Sequence, residues 1–229
     1  MPWQVEALEG RAPDIRRALD MKEVIFDKKW LEASKNPELY YMYRGVSKPE
    51  HTEIIKKSGL RYDITVIPPL MIGEEFVKTA GHYHPEAALG FSYMEVYQVL
   101  EGEALFFIQK VDNFEQNNVI DASFCRARAG DIFVVPANCA HITINPSDKN
   151  RIVMANWVCE GFKSLYKPLE KMGGGAYFFT KSGWIANKNY GKVPPLREIA
   201  PKKAEDMYLL VSDLKRLEFL KNPKVEPGL

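Results

Sequence analysis

Histidine is scarce in this chain of 229 residues, which holds four. Cysteine is scarcer still. Cys125, Cys139 and Cys159 are an odd set without framework spacing, which excludes a disulfide-stapled scaffold and suits reduced thiols. No apolar run approaches the roughly 20 residues of a membrane-crossing helix. The opening residues, MPWQVEALEGRAPDIRR, lack the apolar segment of a secretory leader. A charge excess of one sign is missing too. The 31 Lys and Arg balance 30 Asp and Glu to a net +1, so nothing draws the chain generally to nucleic acid or an anionic membrane. The expectation is a soluble cytoplasmic protein with neither as partner. Hydrophobic content of 46% and charged content of 27% are ordinary for a globular chain, and the length suits one β domain with additions.

The few histidines are not scattered. His82 and His84 stand two apart in GHYHPEAALGFSYMEVYQVLEG, and His141 follows in GDIFVVPANCAHITIN. Residues i and i+2 of a strand share a face, so the first two imidazoles can reach one point. Glu95 and Tyr97 share a face in the same way. Three imidazoles with a carboxylate suit a divalent transition metal. His51, in the polar stretch SKPEHTE, reads as a surface residue.

Around these motifs the chain reads as short strands broken by turn signals. In LRYDITVIP, Tyr62, Ile64 and Val66 alternate with Asp63, Thr65 and Ile67. Further strands are expected at residues 39–44, 95–100, 104–110, 122–128, 132–135, 141–145 and 153–158, with polar connections at 47–59 and 114–118. This pattern means an antiparallel sandwich or barrel. Asp27 begins a short capped helix before Asn36-Pro37. Residues 162–171 form a second short helix, and 176–186 a hairpin. Pro194-Pro195 and Pro201 mark a linker. Beyond it, Leu209, Leu210, Leu214, Leu217 and Leu220 predict an amphipathic helix over 204–220. The organisation expected is an N-terminal arm with a short helix (1–36), a barrel with a closing hairpin (37–190), and a linker with a helix (191–229).

The two histidine stretches together resemble the paired signatures of the cupin superfamily. His82, His84, Glu95 and Gly102 fit the first, and Gly130, Pro136, His141 and Asn145 fit the second. Asn138 replaces the usual glycine, and the loop from His84 to Glu95 is longer than usual. Asparagine tolerates the left-handed turn that glycine would supply. The fold this implies is all-β, a double-stranded β-helix or jelly-roll barrel, with N-terminal decorations and an extra C-terminal helix. A wider resemblance, through RRALDM, PELYYMYRGV, DITVIPPLMIGEEFVKTAGHYH, EVYQVLEG and GGAYFFTKSGWIANKNY, is to the cupin-type phosphoglucose isomerases.

That resemblance implies an aldose–ketose isomerase interconverting glucose 6-phosphate and fructose 6-phosphate, by way of a metal-stabilised cis-enediol(ate) or a hydride shift. Its one divalent ion, Fe2+ in first place with Zn2+, Mn2+ or Ni2+ as substitutes, is held by His82, His84, Glu95 and His141. The implied catalytic residues are Glu95, His141 and Tyr97. Tyr40, Thr65, Thr79, Gly81 and Tyr97 receive the phosphosugar, and the chain forms a homodimer. In the family, a tyrosine ends the last barrel strand and a histidine follows. Here NWVCEGFKSLYKPL offers Trp157, no histidine, and Tyr166 only across a gap. Trp157 fits a sugar-facing wall and core filler equally. Two other readings are an Fe(II) oxygenase of the same fold and a non-catalytic phosphosugar sensor.

Overall fold

Period-two alternation of apolar and polar residues needs a second apolar layer to bury one face of each strand, and in the computed structural model that layer is another sheet. Residues 2–113 and 118–229 are described. One sheet runs, in spatial order, Asp14–Arg17, Glu38–Tyr43, Leu60–Ile67, Ile152–Cys159, Glu95–Glu101, Asp131–Val135 and Lys202–Lys203. Its partner runs Ala140–Ile144, Glu103–Val111, Val119–Arg128 and Arg197–Ile199. Their inner faces share one core, in which Phe106 of the smaller sheet stacks on Phe133 and tilts against Tyr97 of the larger. The chain is an all-β jelly-roll barrel. The hairpin Tyr177–Thr180 with Gly183–Ala186 forms as expected and pairs with Glu75–Phe76.

Asp27 caps the helix Lys28–Ala33 by accepting from Trp30 N at 2.9 Å. The stretch expected as a polar connection after Tyr43 is instead helical over Thr52–Ser58, with Gly59 as its left-handed C-cap. Of the expected loop at 114–118, residues 114–117 lie outside the described residues.

The larger sheet is covered on its outer face as well, and the C-terminal segment does the covering. The expected linker is not free, since Arg197–Ile199 pairs with Val119–Arg128 and Lys202–Lys203 with Asp131–Val135. The expected single helix is two 3₁₀ segments, Met207–Ser212 and Leu214–Leu220, divided at Asp213 (φ −145°). Buried Met207 and Leu210, Tyr208 and Val211, and Leu217 and Leu220 are each three apart, the spacing that eclipses side chains in a 3₁₀ turn. Leu209, counted in the apolar stripe, is exposed. Beneath these turns Tyr62 lies 4.8 Å from Trp157 and 5.0 Å from Tyr208, centroid to centroid. Trp157 is fully buried and donates from Nε1 to Met207 O at 3.0 Å. It is core, not a wall of the site. His51 is half-buried, with Nδ1 3.1 Å from the Tyr208 hydroxyl, rather than a free surface residue.

Truncating Trp157 should therefore cost stability without touching the inner face. Trp157→Ala is expected to lower the unfolding free energy by about 3–5 kcal/mol in urea titration, with metal uptake by the folded protein unchanged. An unaltered midpoint would show that the outer layer contributes nothing.

Candidate metal centre and substrate cleft

The segment before the histidines runs antiparallel to Ala140–Ile144, and its pairing slips by one residue between Thr79 and His82. Thr79 N donates to Thr143 O at 2.8 Å, whereas His82 and His141 exchange backbone bonds of 3.3 and 3.1 Å. The extra residue is accommodated where Gly81 takes φ +72°. A glycine in the left-handed region is the usual device for a bulge that re-aims the following side chain. A Cβ on Gly81 would lie 2.4 Å from Ile142 Cγ1.

Beyond the bulge, His82 Nε2 lies 3.1 Å from His84 Nε2 and 3.1 Å from His141 Nε2, with His84 and His141 3.4 Å apart. Glu95 Oε2 is 3.4 Å from His84 Nε2 and 3.5 Å from His141 Nε2. The donor atoms of all four residues lie within 4.8 Å of one another. Atoms bound about 2.1 Å from one ion at right or tetrahedral angles stand about 3.0–3.4 Å apart, so this set fits a transition-metal ion. His84 Nδ1 faces Tyr93 O at 3.0 Å. A carbonyl only accepts, so Nδ1 carries a proton and Nε2 is the nitrogen turned toward the cluster. Desolvation, then His141 and His84, hold His82 well below the usual imidazole value. Burial drops His141 to about 4 despite the opposing pull of Glu95. Neutral imidazoles are what a metal needs. Burial alone would raise Glu95, but the adjacent His84, His141 and Tyr97 outweigh it and lower its pKa.

The residues that the family resemblance implies for the site all line one cleft, which is partly open to solvent. Tyr40, Thr65, Thr79, Gly81 and Tyr97 are there beside the four candidate ligands. The Tyr40 hydroxyl accepts from Ala80 N at 3.3 Å, and burial pushes its pKa to about 12. Thr79 Oγ1 accepts from Thr143 N at 3.0 Å. Burial, then the Glu95 charge to which it hydrogen-bonds, raises Tyr97 well above the ordinary phenol.

Sequence reading missed Asn156, Arg44, Arg61 and Phe162. Asn156 donates from Nδ2 to Glu95 Oε1 at 2.5 Å, so it orients the carboxylate. Parity is the signal that could have found it. Trp157 pairs with Tyr62 and Val96, outward-facing residues, so its neighbour must face inward. The expected helix over 162–171 is confined to Lys167–Lys171. Ahead of it Leu165 exchanges backbone bonds with Tyr83 (2.8 and 3.1 Å). That bridge lays Phe162 4.8 Å from the His84 ring and Tyr166 5.2 Å from the His82 ring.

A family model described as "Glucose-6-phosphate isomerase (GPI)" matches residues 15–195. The glucose-6-phosphate isomerase of Thermococcus litoralis is 30% identical over 159 residues, covering 68% of this chain and 74% of that one. The one from Pyrococcus furiosus is 29% identical over 156 residues, or 67% and 74%. Among solved structures, a Bacillus subtilis oxalate decarboxylase aligns with a TM-score of 0.39 and 18% identity, covering 56% of this chain and 28% of that one.

Titration of the chelator-treated protein with Co2+ or Zn2+ is expected to give one tight site. His84→Ala should weaken it by more than the about 10–100-fold typical of losing an outer partner, and Asn156→Ala by about that amount. Full affinity in His84→Ala would remove the centre.

Proposed function

Because the chain belongs to the glucose-6-phosphate isomerase family, we propose that it interconverts glucose 6-phosphate and fructose 6-phosphate. The observation that carries the reading is the convergence of three imidazole nitrogens and one carboxylate in a cleft also lined by tyrosine and threonine hydroxyls. A divalent ion held by His82, His84, Glu95 and His141, for which we choose Fe2+ over Zn2+, Mn2+ or Ni2+, would supply Lewis-acid chemistry.

The rest falls to the chain's own groups. Isomerisation moves one hydrogen from C1 to C2 of the sugar and one proton from O1 to O2, or the reverse, with no net gain or loss. Glu95 is assigned the proton that passes between C1 and C2. Its Oε2 faces the histidines while Oε1 is held by Asn156, so Oε1 is the atom positioned to take and return it. Tyr97 keeps its proton, since its pKa lies far above neutrality, and it donates to Glu95 or to a sugar oxygen. His141 is assigned to the catalytic group as a ligand that closes the set from the opposite sheet. Tyr40, Thr65, Thr79, Gly81 and Tyr97 receive the substrate, and Phe162 and Tyr166 cover it. A hydride shift, in which Glu95 takes no proton, is told apart by the absence of solvent deuterium at C2 of the product.

The same reading carries a place in glycolysis or gluconeogenesis, a cytoplasmic location and a homodimer. Among the described residues no helix is long and apolar enough to cross a membrane, and all three cysteines are free.

The test is conversion of fructose 6-phosphate after anaerobic Fe2+ loading, coupled to a glucose-6-phosphate-specific dehydrogenase. Turnover should appear only with metal and fall at least 100-fold in His82→Ala and in Glu95→Ala, the low end of what general-base loss removes (about 10²–10⁴). Metal-replete protein that consumes oxygen, or that binds the sugar without turning it over, would sink the isomerase reading.

A further inference from the structure

One group beside the cleft remains unused. Asp63 is buried, at 1% exposure, and bonds the cleft-lining Arg44 and Arg61. Both its oxygens are filled. Oδ1 accepts from Gly45 N (2.9 Å) and Arg61 Nε (2.8 Å), and Oδ2 from Arg44 Nη1 (2.9 Å) and Arg61 Nη2 (2.8 Å). Two guanidiniums are thus clamped by one carboxylate, leaving the trio at net +1. The clamp does not exhaust the donors. Arg61 Nη1 makes no protein hydrogen bond among the described residues, whereas Nε and Nη2 are bonded to Asp63. Arg44 Nη2 has only the weak Met42 sulfur at 3.2 Å, and its Nε faces the solvent-exposed Asp14 at 3.6 Å. Both arginines line the cleft.

Sheet register places the pair relative to the metal centre. Glu95 pairs with Val158, which pairs with Arg61, and Tyr97 pairs with Asn156, which pairs with Asp63. Arg61 is therefore two strands from Glu95, about 10 Å at the backbone, and its side chain lines the cleft while bonded to Asp63 two residues along its own strand. Thr65, two residues beyond Asp63 on the same face, continues the wall with a hydroxyl. A planar fork held in place by a buried carboxylate is pre-organised for an oxyanion.

We propose that Arg44 and Arg61, braced by Asp63, form the anion-binding wall of the cleft and receive the substrate's phosphate, making them specificity-determining residues. The wall rests on the phosphosugar reading above and extends it. Its function is to discriminate a sugar phosphate from the same sugar without phosphate. The charge acts in both the bound and the reacting states, so its loss falls on KM and not on kcat.

The experiment is calorimetric titration of the metal-loaded protein with fructose 6-phosphate and, separately, fructose, with inorganic phosphate as competitor. Arg44→Gln and Arg61→Gln are compared with wild type, with circular dichroism to verify folding. Arg44→Lys and Arg61→Lys, which keep the charge beside Asp63, stand in if a Gln variant unfolds. Each Gln variant should weaken fructose 6-phosphate at least tenfold, flatten its salt dependence and abolish competition by phosphate. Co2+ affinity and fructose binding should stay unchanged. The Lys variants should lose less, since a point charge replaces the fork. Unchanged fructose 6-phosphate affinity in both single variants overturns the wall even if the enzyme turns over. So does a wild type that binds the phosphosugar no better than fructose. Affinity lost in the variants of a protein with no turnover would uphold the wall while removing the isomerase.

Discussion

The backbone bridge between His82 and His141 is the contact on which the site depends. Each residue donates its N–H to the other's carbonyl, so the segment entering the barrel is stitched to the strand Ala140–Ile144 at the point where both imidazoles emerge. Directly opposed residues on antiparallel strands project to the same side, which explains why two histidines so far apart in sequence point at one spot. The bulge at Gly81 sets the parity of the residues after it. Without it the preceding register would run on through residue 82, and His82 and His84 would be turned away from the interior.

The larger sheet is divided in its labour by the same parity. Its outer residues, Tyr62, Val96 and Trp157, form an aromatic and aliphatic layer sealed by the C-terminal 3₁₀ turns. Its inner residues, Asp63, Asn156, Glu95 and Tyr97, are polar and buried. Unpaired polar groups there would each cost on the order of 1–3 kcal/mol. They are satisfied in pairs instead, Asn156 with Glu95 and Asp63 with the arginines. The outer layer supplies stability, and the inner row is left free for chemistry.

Much of this was legible in the sequence because it is local. The two-residue spacing of His82 and His84, the alternation of residues 60–67, the cap at Asp27 and the hairpin after Gly175 each depend on neighbours along the chain, and each forms. The family's motifs extend that legibility to Tyr40, Thr65 and Thr79, which share no local pattern with the histidines yet meet them in the cleft. The features that escaped were set by partners distant in sequence. Trp157 could be read as wall or core until its outward pairing with Tyr62 was known. The leucines after residue 204 fit a helical stripe, but docking onto a flat sheet face selected 3₁₀ turns and left Leu209 in solvent. Asn156 is a single polar residue in an apolar strand, and its inward direction shows only through the pairing of Trp157 with Tyr62 and Val96. Asp63 shares the face of Arg61 and Thr65, but its two arginine partners are set by the fold.

Cross-strand rows also tie the metal centre to the proposed anion wall. Tyr97, Asn156 and Asp63 form one row across three strands, and Glu95, Val158 and Arg61 form another. A one-residue slip of Leu60–Ile67 against Ile152–Cys159 would turn Arg61 and Asp63 to the outer face, so single-residue sliding of that strand does not tune the distance between metal and anion. It can be adjusted only at side-chain tips. The arginine tips reach the cleft mouth, with Arg44 43% and Arg61 30% exposed, whereas Asp63 and Glu95 are 1% and 6% exposed. Substitution at residues 44 and 61 is thus the route by which this barrel can change the anion it accepts while keeping its metal set. Substitution at 63 would release both arginines, and substitution at 156 would release the Glu95 carboxylate.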